Sequence, residues 1–189
     1  MSGRLFVISG PSGVGKGTLI ARARERLPLL ELATSATTRA RRPGEEDGRE
    51  YRFLSPQQFE QGVREGAFVE HVEFAGHRYG TLRSEVDRRL EEGSSVVLEI
   101  DVPGAREIER QVPDAVLVFI APPDMGDLEQ RLLARGANSA DEIAKRLQIA
   151  HDEIRARDHF QHVIVNDDLD RAASQLTELI RTALSEETR

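Results

Sequence analysis

The sequence has 189 residues, of which 39% are hydrophobic and 31% charged, and it contains no cysteine. That apolar content suits one domain with inserts, and charges of both signs exclude wholesale disorder. A net charge of -7 argues against a general nucleic-acid binder, whose surface would be basic, and the absence of cysteine excludes disulfides and thiolate metal sites.

No apolar run is long enough to span a bilayer and no signal-peptide pattern is seen, so no membrane partner and a reducing, cytoplasmic setting are expected. Leu5 to Ser9 reads as a buried strand, Gly10 to Lys16 as a glycine-rich turn, and Thr18 onward as an amphipathic helix that Pro28 ends. Strand, glycine-rich turn, lysine and helix together are the arrangement of a phosphate-binding loop. Glycines let backbone N–H groups face phosphate oxygens, the helix N-terminus adds unpaired donors, and Lys16 brings a full charge. The chain has only two lysines, Lys16 and Lys145, and one falls where a phosphate ligand is needed. The motif usually continues with serine or threonine, whose hydroxyl helps to hold Mg²⁺. Here Gly17 takes that place and Thr18 follows, so Thr18, waters and the nucleotide are the expected metal partners.

Leu29 to Thr37 is expected to be the second strand. Residues 37–51 are too polar and glycine-rich for a core element and predict a long functional loop carrying Arg39, Arg41 and Arg42. Tyr51 to Leu54 reads as a short strand. Ser55 and Pro56 start a helix, as N-cap and first helical residue, that runs to Arg64. Phe68 to Phe74 alternates as a strand, placing Glu70 on a largely apolar face with Phe68 and Val72, and with Phe74 as a further candidate. His77 to Gly80 returns as a strand, and Thr81 to Glu92 reads as a helix. Ser95 to Asp101 is an apolar strand closing on an acid, a position that suits a metal or metal-water partner. Then come a helix (103–112), a buried strand (115–120), a helix capped by Asp124, a break at 135–139, a helix (140–157), a short strand (163–165) and a last helix (168–185). Alternating strands and helices predict an α/β fold with a mostly parallel sheet and a ligand at the carboxyl ends of its strands, where Lys16 and Asp101 lie. The five histidines sit at no metal-ligand spacing and read as packing or surface residues.

With a second motif, Thr37-Thr38-Arg39 followed by Arg42, Gly44-Glu45, Gly48 and Tyr51, the chain resembles guanylate kinase, a nucleoside monophosphate kinase family of the P-loop NTPase fold. The resemblance also rests on Glu70 with Tyr79-Gly80-Thr81, on Leu98-Glu99-Ile100-Asp101 with Gly104, and on Arg131-Leu132, Arg135-Gly136, Arg146-Leu147 and Val165-Asn166-Asp167-Asp168. It covers nearly the whole chain. It implies transfer of the γ-phosphoryl group of ATP to GMP with Mg²⁺, giving ADP and GDP, a step of purine nucleotide metabolism. It also implies a P-loop core (1–34, 82–125 and 148–189), a small mainly β GMP-binding insert (35–81) and a helical lid (126–147).

By the same resemblance Gly10, Pro11, Ser12, Gly13, Val14, Gly15, Lys16, Gly17 and Thr18 would bind ATP. Arg39, Arg42, Tyr51 and Tyr79 would hold the GMP phosphate, with Ser35, Glu70, Thr81 and Asp101 around the guanine. Lys16, Arg131, Arg135 and Arg146 would carry catalysis, and Thr18 and Asp101 are the metal candidates. Arg131 and Arg135 are four apart and predict one shared helix face. Departures from the family pattern are Gly17, Glu99 for a usual aspartate, Pro103 for a usual glutamine, and Arg41 for a frequent proline. The alternatives are a same-fold kinase with another phosphate acceptor, against which Glu70 and Thr81 stand, and an inactive binding module, against which the intact phosphate loop stands.

Overall fold

The computed structural model describes residues 3–74, 76–134 and 140–186. The chain runs through β1 (Leu5–Ser9), α1 (Lys16–Arg26), β2 (Leu30–Leu32), β3 (Ala36–Thr37), β4 (Arg52–Phe53), α2 (Pro56–Arg64), β5 (Phe68–Phe74) and β6 (His77–Leu82). It continues through α3 (Arg83–Glu91), β7 (Ser95–Glu99), α4 (Val102–Gln111), β8 (Val116–Ala121), α5 (Met125–Ala134), α6 (Ala140–Arg155), β9 (His162–Val165) and α7 (Leu169–Glu186).

The apolar runs build a five-stranded sheet in the order β2-β7-β1-β8-β9, and every pairing in it is parallel. Side chains alternate across a strand, so β1 feeds two cores at once. Phe6 and Ile8 join Leu19, Ile20, Leu176 and Ile180 of α1 and α7. Leu5 and Val7 join Val102, Ala105 and Ile108 of α4. Cover on both faces is why β1 and β8 read as unbroken apolar runs. It also leaves the carboxyl ends of the strands as the open rim.

A second sheet, β4-β3-β6-β5, stands on that rim. It is an antiparallel β5–β6 hairpin extended by β3, with β4 parallel to β3. α2 covers it and begins with a full capping box: Gln58 N donates to the Ser55 hydroxyl, and Ser55 N donates to the Gln58 side chain.

The structure differs from expectation at several ends, each time where backbone pairing overrides local pattern. The expected strand 29–37 is two strands in two sheets. Ala33 N donates to Val97 O at 3.0 Å, completing the pairing with β7, while Arg52 N donates to Ser35 O at 2.9 Å in the other sheet. β6 extends through Leu82 because Thr81 pairs with Glu70, so Thr81 belongs to a strand and α3 starts at Arg83. β7 ends at Glu99, and Asp101 instead caps α4 by accepting from Gly104 N at 2.9 Å. α1 begins two residues early, at Lys16. α6 ends at Arg155, before a 3-10 turn at Arg157–His159. A register shift between Phe68 and Glu70 buries Phe68, Val69 and Glu70 in succession, and Phe74 is 52% exposed.

Phe59 of α2 is fully buried and stacks on Phe68 with ring centroids 4.4 Å apart, in a cluster with only Ala36 as a further buried member among the described residues. Phe59→Ala should therefore cost about 3–5 kcal/mol in urea unfolding. A loss no larger than that of an exposed position would show that this stack does not hold α2 to the second sheet.

Candidate functional site

Between β1 and α1 the backbone turns through residues 10–15. Gly10 has φ +137° and Gly15 φ +98°; a Cβ at Gly10 would lie 2.2 Å from Ile120 O, and one at Gly15 2.7 Å from Asn166 Nδ2. Only glycine fits either place. α1 starts at Lys16, so its first N–H groups point into the turn. Lys16 Nζ donates to Gly10 O at 2.5 Å and Pro11 O at 3.3 Å, bridging over the loop.

The loop is also gripped from behind. Val14 is buried with Leu128 and Leu132 of α5 in one core, and its carbonyl accepts from Asn166 Nδ2 at 2.7 Å and Arg131 Nη1 at 3.2 Å. Arg131 Nη2 donates to Asn166 O at 2.9 Å, and its Nε pairs with Asp127 at 2.6 Å. Arg131 thus joins α5, the phosphate loop and the residue after β9. Through Leu128 and Leu132, α5 packs one face into the main core.

In front of the loop lies a cleft of about 860 Å³. One wall is Gly10, Ser12, Gly13, Gly15, Lys16 and Gly17; the opposite one carries Ser35, Tyr51, Glu70 and Tyr79 from the second sheet and its loop. Asp101 and Arg146 close the sides. Thr18 is exposed on the first turn of α1, and Arg42 is exposed in the long loop. Arg135 lies outside the described residues.

Glu70 is 3% exposed. Its Oε1 accepts from the Thr81 hydroxyl at 2.8 Å. Its Oε2 lies against α4, where a Cβ on Gly104 would come within 3.1 Å of it and of Asp101 Oδ1. Burial pushes the Glu70 carboxyl up to about 7, with nearby Asp101 adding to the rise and the Thr81 bond opposing it.

Beside it, Tyr51 and Tyr79 meet edge-to-face with centroids 5.9 Å apart. The Arg39 guanidinium lies 5.3 Å from the Tyr51 ring centroid, close enough for cation–π attraction. Burial raises the Tyr51 phenol above its usual range, so the hydroxyl stays protonated and able to donate. A buried carboxyl group, two tyrosines and a turn of backbone amides therefore line one space; Arg39, which contacts Tyr51, and Thr81, which contacts Glu70, are not among its lining residues.

A family model described as guanylate kinase matches residues 2–183. The chain belongs to the guanylate kinase family. Guanylate kinases of Rubrobacter xylanophilus and Thermus thermophilus are similar to it. The first is 48% identical over 95% of this chain and 94% of its own length. The second is 47% identical over 95% and 81%. The crystal structure of guanylate kinase from Anaplasma phagocytophilum matches with a TM-score of 0.76 and 30% identity, covering 96% of this chain and 86% of that one. Guanylate kinases are ATP:GMP phosphotransferases.

The guanylate kinase cleft also contains residues to which sequence reasoning assigned no role. Glu50, Glu99, Arg106 and Glu153 line it. Glu153, on α6, is pushed up to about 7 by burial, against the pull of Lys16 and with a further push from Asp101. Its spacing of seven from Arg146 was the available signal, since such a pair shares a helix face. Asn166 and Glu45 stood in quoted motifs, but their partners, Val14 and Arg39, lie in contacts that no periodicity marks.

The raised Glu70 carboxyl has a consequence for stability. A folded-state value above the unfolded one means that ionisation is disfavoured in the fold, so stability falls as pH rises from about 4.5 through about 7. Glu70→Gln removes that penalty while keeping an acceptor for Thr81. Relative to the parent, it should gain roughly 3 kcal/mol more at pH 8 than at pH 5. Urea unfolding of both proteins at the two pH values tests this; parallel pH dependence would mean that Glu70 ionises freely in the fold.

Proposed function

We propose that the cleft holds ATP and GMP together for direct phosphoryl transfer, with the roles divided between its two walls. The observation that carries this is the continuity of one cavity from the phosphate loop to Glu70 and Tyr79. Residues Gly10 to Thr18 cradle the ATP phosphates with backbone N–H groups, and Lys16 places its ammonium on the outer ones. GMP lies opposite. Its N1–H and N2 amino group are adjacent donors that the two oxygens of Glu70 can accept together. Thr81 supports the same carboxylate, and Ser35 and Asp101 flank it. Arg39, Arg42, Tyr51 and Tyr79 take the GMP phosphate, a dianion suited to guanidinium forks and phenolic hydroxyls. Arg146, which lines the cleft, and Arg135 supply positive charge toward the transferring group, which needs positioning and neutralisation more than a strong base. Arg131, held by Val14 O, Asn166 O and Asp127, adds its charge through the loop that it grips. The division that accompanies these roles is a core of 1–34, 82–125 and 148–189, a GMP-binding insert of 35–81 and a lid of 126–147.

Mg²⁺ fits this wall. A Cβ at position 17 would lie 3.2 Å from Glu99 Oε2, so Gly17 leaves room for an acidic oxygen where the usual motif places a hydroxyl. Glu99 and Asp101, with the Thr18 hydroxyl nearby in sequence, offer the hard oxygen donors that Mg²⁺ takes. Among the described residues no cluster of three acidic, histidine or cysteine ligands exists. An ion here would be held by one or two carboxylates, waters and substrate phosphates. When bound, it neutralises charge on the phosphates being transferred. The cytoplasm is the compartment in which ATP and GMP would meet this enzyme.

Lys16→Ala should lower kcat by about 100-fold or more, the order for losing one electrostatic stabiliser at a reacting centre. Near-normal turnover in a coupled ADP-release assay would overturn the assignment of ATP to the loop. Guanine recognition requires the ionised form of Glu70, whose carboxyl lies at about 7. KM for GMP should therefore fall as pH rises, by about 10-fold from pH 6 to pH 8, while KM for ATP stays nearly level. Glu70→Gln should raise KM for GMP and flatten that profile to the part due to the GMP phosphate itself. A parent profile matching that of the variant would place guanine recognition elsewhere.

A further inference from the structure

Arg39 does not approach the cleft as a free cation. Its Nη1 donates to Glu45 Oε2 at 3.0 Å and its Nη2 to Glu45 Oε1 at 2.7 Å, an end-on, two-bond fork. The second Nη1 hydrogen goes to Ala40 O at 2.7 Å. A guanidinium has five N–H groups, so these bonds use one whole end of it. What remains is Nε–H and one Nη2 hydrogen, side by side on the lateral edge. Tyr79, which lines the cleft, also interacts with this guanidinium. The rings of Tyr51 and Phe53 lie 5.3 and 5.7 Å from Arg39 Cζ.

Glu45 also organises the turn that carries Arg42. Its Oε2 accepts from Arg42 N at 2.8 Å, and its own N–H donates to Arg42 O at 3.1 Å. The Arg39 bond, followed by the Arg42 N–H, holds the Glu45 carboxyl down to about 2, so it remains a carboxylate wherever the enzyme works. The pair is unlike an ordinary surface ion pair, whose side chains are mobile and hydrated: Arg39 is 11% and Glu45 17% exposed.

We propose that Glu45 is a positioning residue for GMP, occupying the end-on edge of Arg39 so that its lateral edge is presented to the phosphate. This rests on the reading of Arg39 as a phosphate ligand. Two effects of Glu45 oppose each other. Its charge repels an incoming phosphate, and its fork fixes the guanidinium in the geometry that phosphate needs. The repulsion is offset at the phosphate by the charge of the Arg39 guanidinium, which lies between the two anions and pairs with Glu45. A two-bond phosphate contact, by contrast, depends on orientation, and a guanidinium already held loses less freedom on binding. Orientation is therefore the larger effect.

The test uses the full chain at about 0.15 M salt with Glu45→Gln, Glu45→Asp, Arg39→Ala and the Arg39→Ala/Glu45→Gln double variant. KM and kcat are measured for GMP, and guanosine serves as an inhibitor that reports the base site alone. Glu45→Gln should raise KM for GMP about 10-fold with kcat within about 3-fold, the pattern of lost ground-state binding. Guanosine inhibition should be unchanged. Glu45→Asp keeps the charge but is too short for the same fork, so it should not restore KM; it also serves as the second variant should the glutamine protein fold poorly. The double variant should be no worse than Arg39→Ala.

An unchanged or lower KM in Glu45→Gln would overturn the proposal and make Glu45 a competitor of the phosphate. Additive losses in the double variant would overturn it by showing that Glu45 acts without Arg39. Equal losses for guanosine and GMP would reduce Glu45 to a general support of the loop. If Arg39→Ala itself leaves KM for GMP unchanged, the phosphate reading of Arg39 fails, and the role of Glu45 with it; this is an outcome distinct from the other three.

Discussion

The grip on Val14 is the constraint from which the rest of the site follows. A turn of backbone amides can face an anion only if its carbonyls are satisfied on the other side. Here one buried carbonyl takes two donors, the Asn166 amide and the Arg131 guanidinium, while the Val14 side chain is locked against α5. The same contacts tie together β1, α1, α5 and the end of β9, elements far apart in sequence. Phosphate binding and core packing are thus one arrangement. The parallel sheet places it at the open rim because both faces are already covered.

Glu70 shows the opposite balance. Its burial disfavours the charge that the proposed guanine contact needs, and the only direct hydrogen-bond support among the described side chains comes from Thr81. A buried carboxylate with few partners weakens the free fold and is set to gain when a ligand brings donors. Adenine, whose N1 is an acceptor and which has no N2 amino group, would leave the carboxylate unpaired. On the proposed role of Glu70, the penalty in the free protein and the selectivity for GMP have one cause. The second sheet bears that cost with a small core, in which Phe59 and Phe68 are the main apolar contact.

Much of this was legible in the chain. The apolar run before Gly10 and the Ser55–Pro56 helix start are local signals, and each was found where expected. Glu70 is buried as expected, but through a register shift that buries Phe68, Val69 and Glu70 together rather than through strict alternation. Strand ends were less legible. Thr81 sits in β6 and Asp101 caps a helix because pairing with Glu70 and the reach of Gly104 N decide their places. The break between β2 and β3 has no mark in the run 29–37, since both halves are apolar enough to be strand and differ only in which sheet receives them.

The sequence by itself determined the class of fold and the family, because glycine spacing, arginine and tyrosine motifs and periodicity are written within short stretches. Only the tertiary structure decided what each charged group faces. Glu45 lies on Arg39, Glu99 beside Gly17, Arg131 behind the phosphate loop, and Glu153 across from Lys16. Electrostatic partners are set by distance in space, and a side chain at any separation along the chain can fill that role. The chain order of a charge therefore names what it can bind, and the packing of two sheets at one rim names what it does bind.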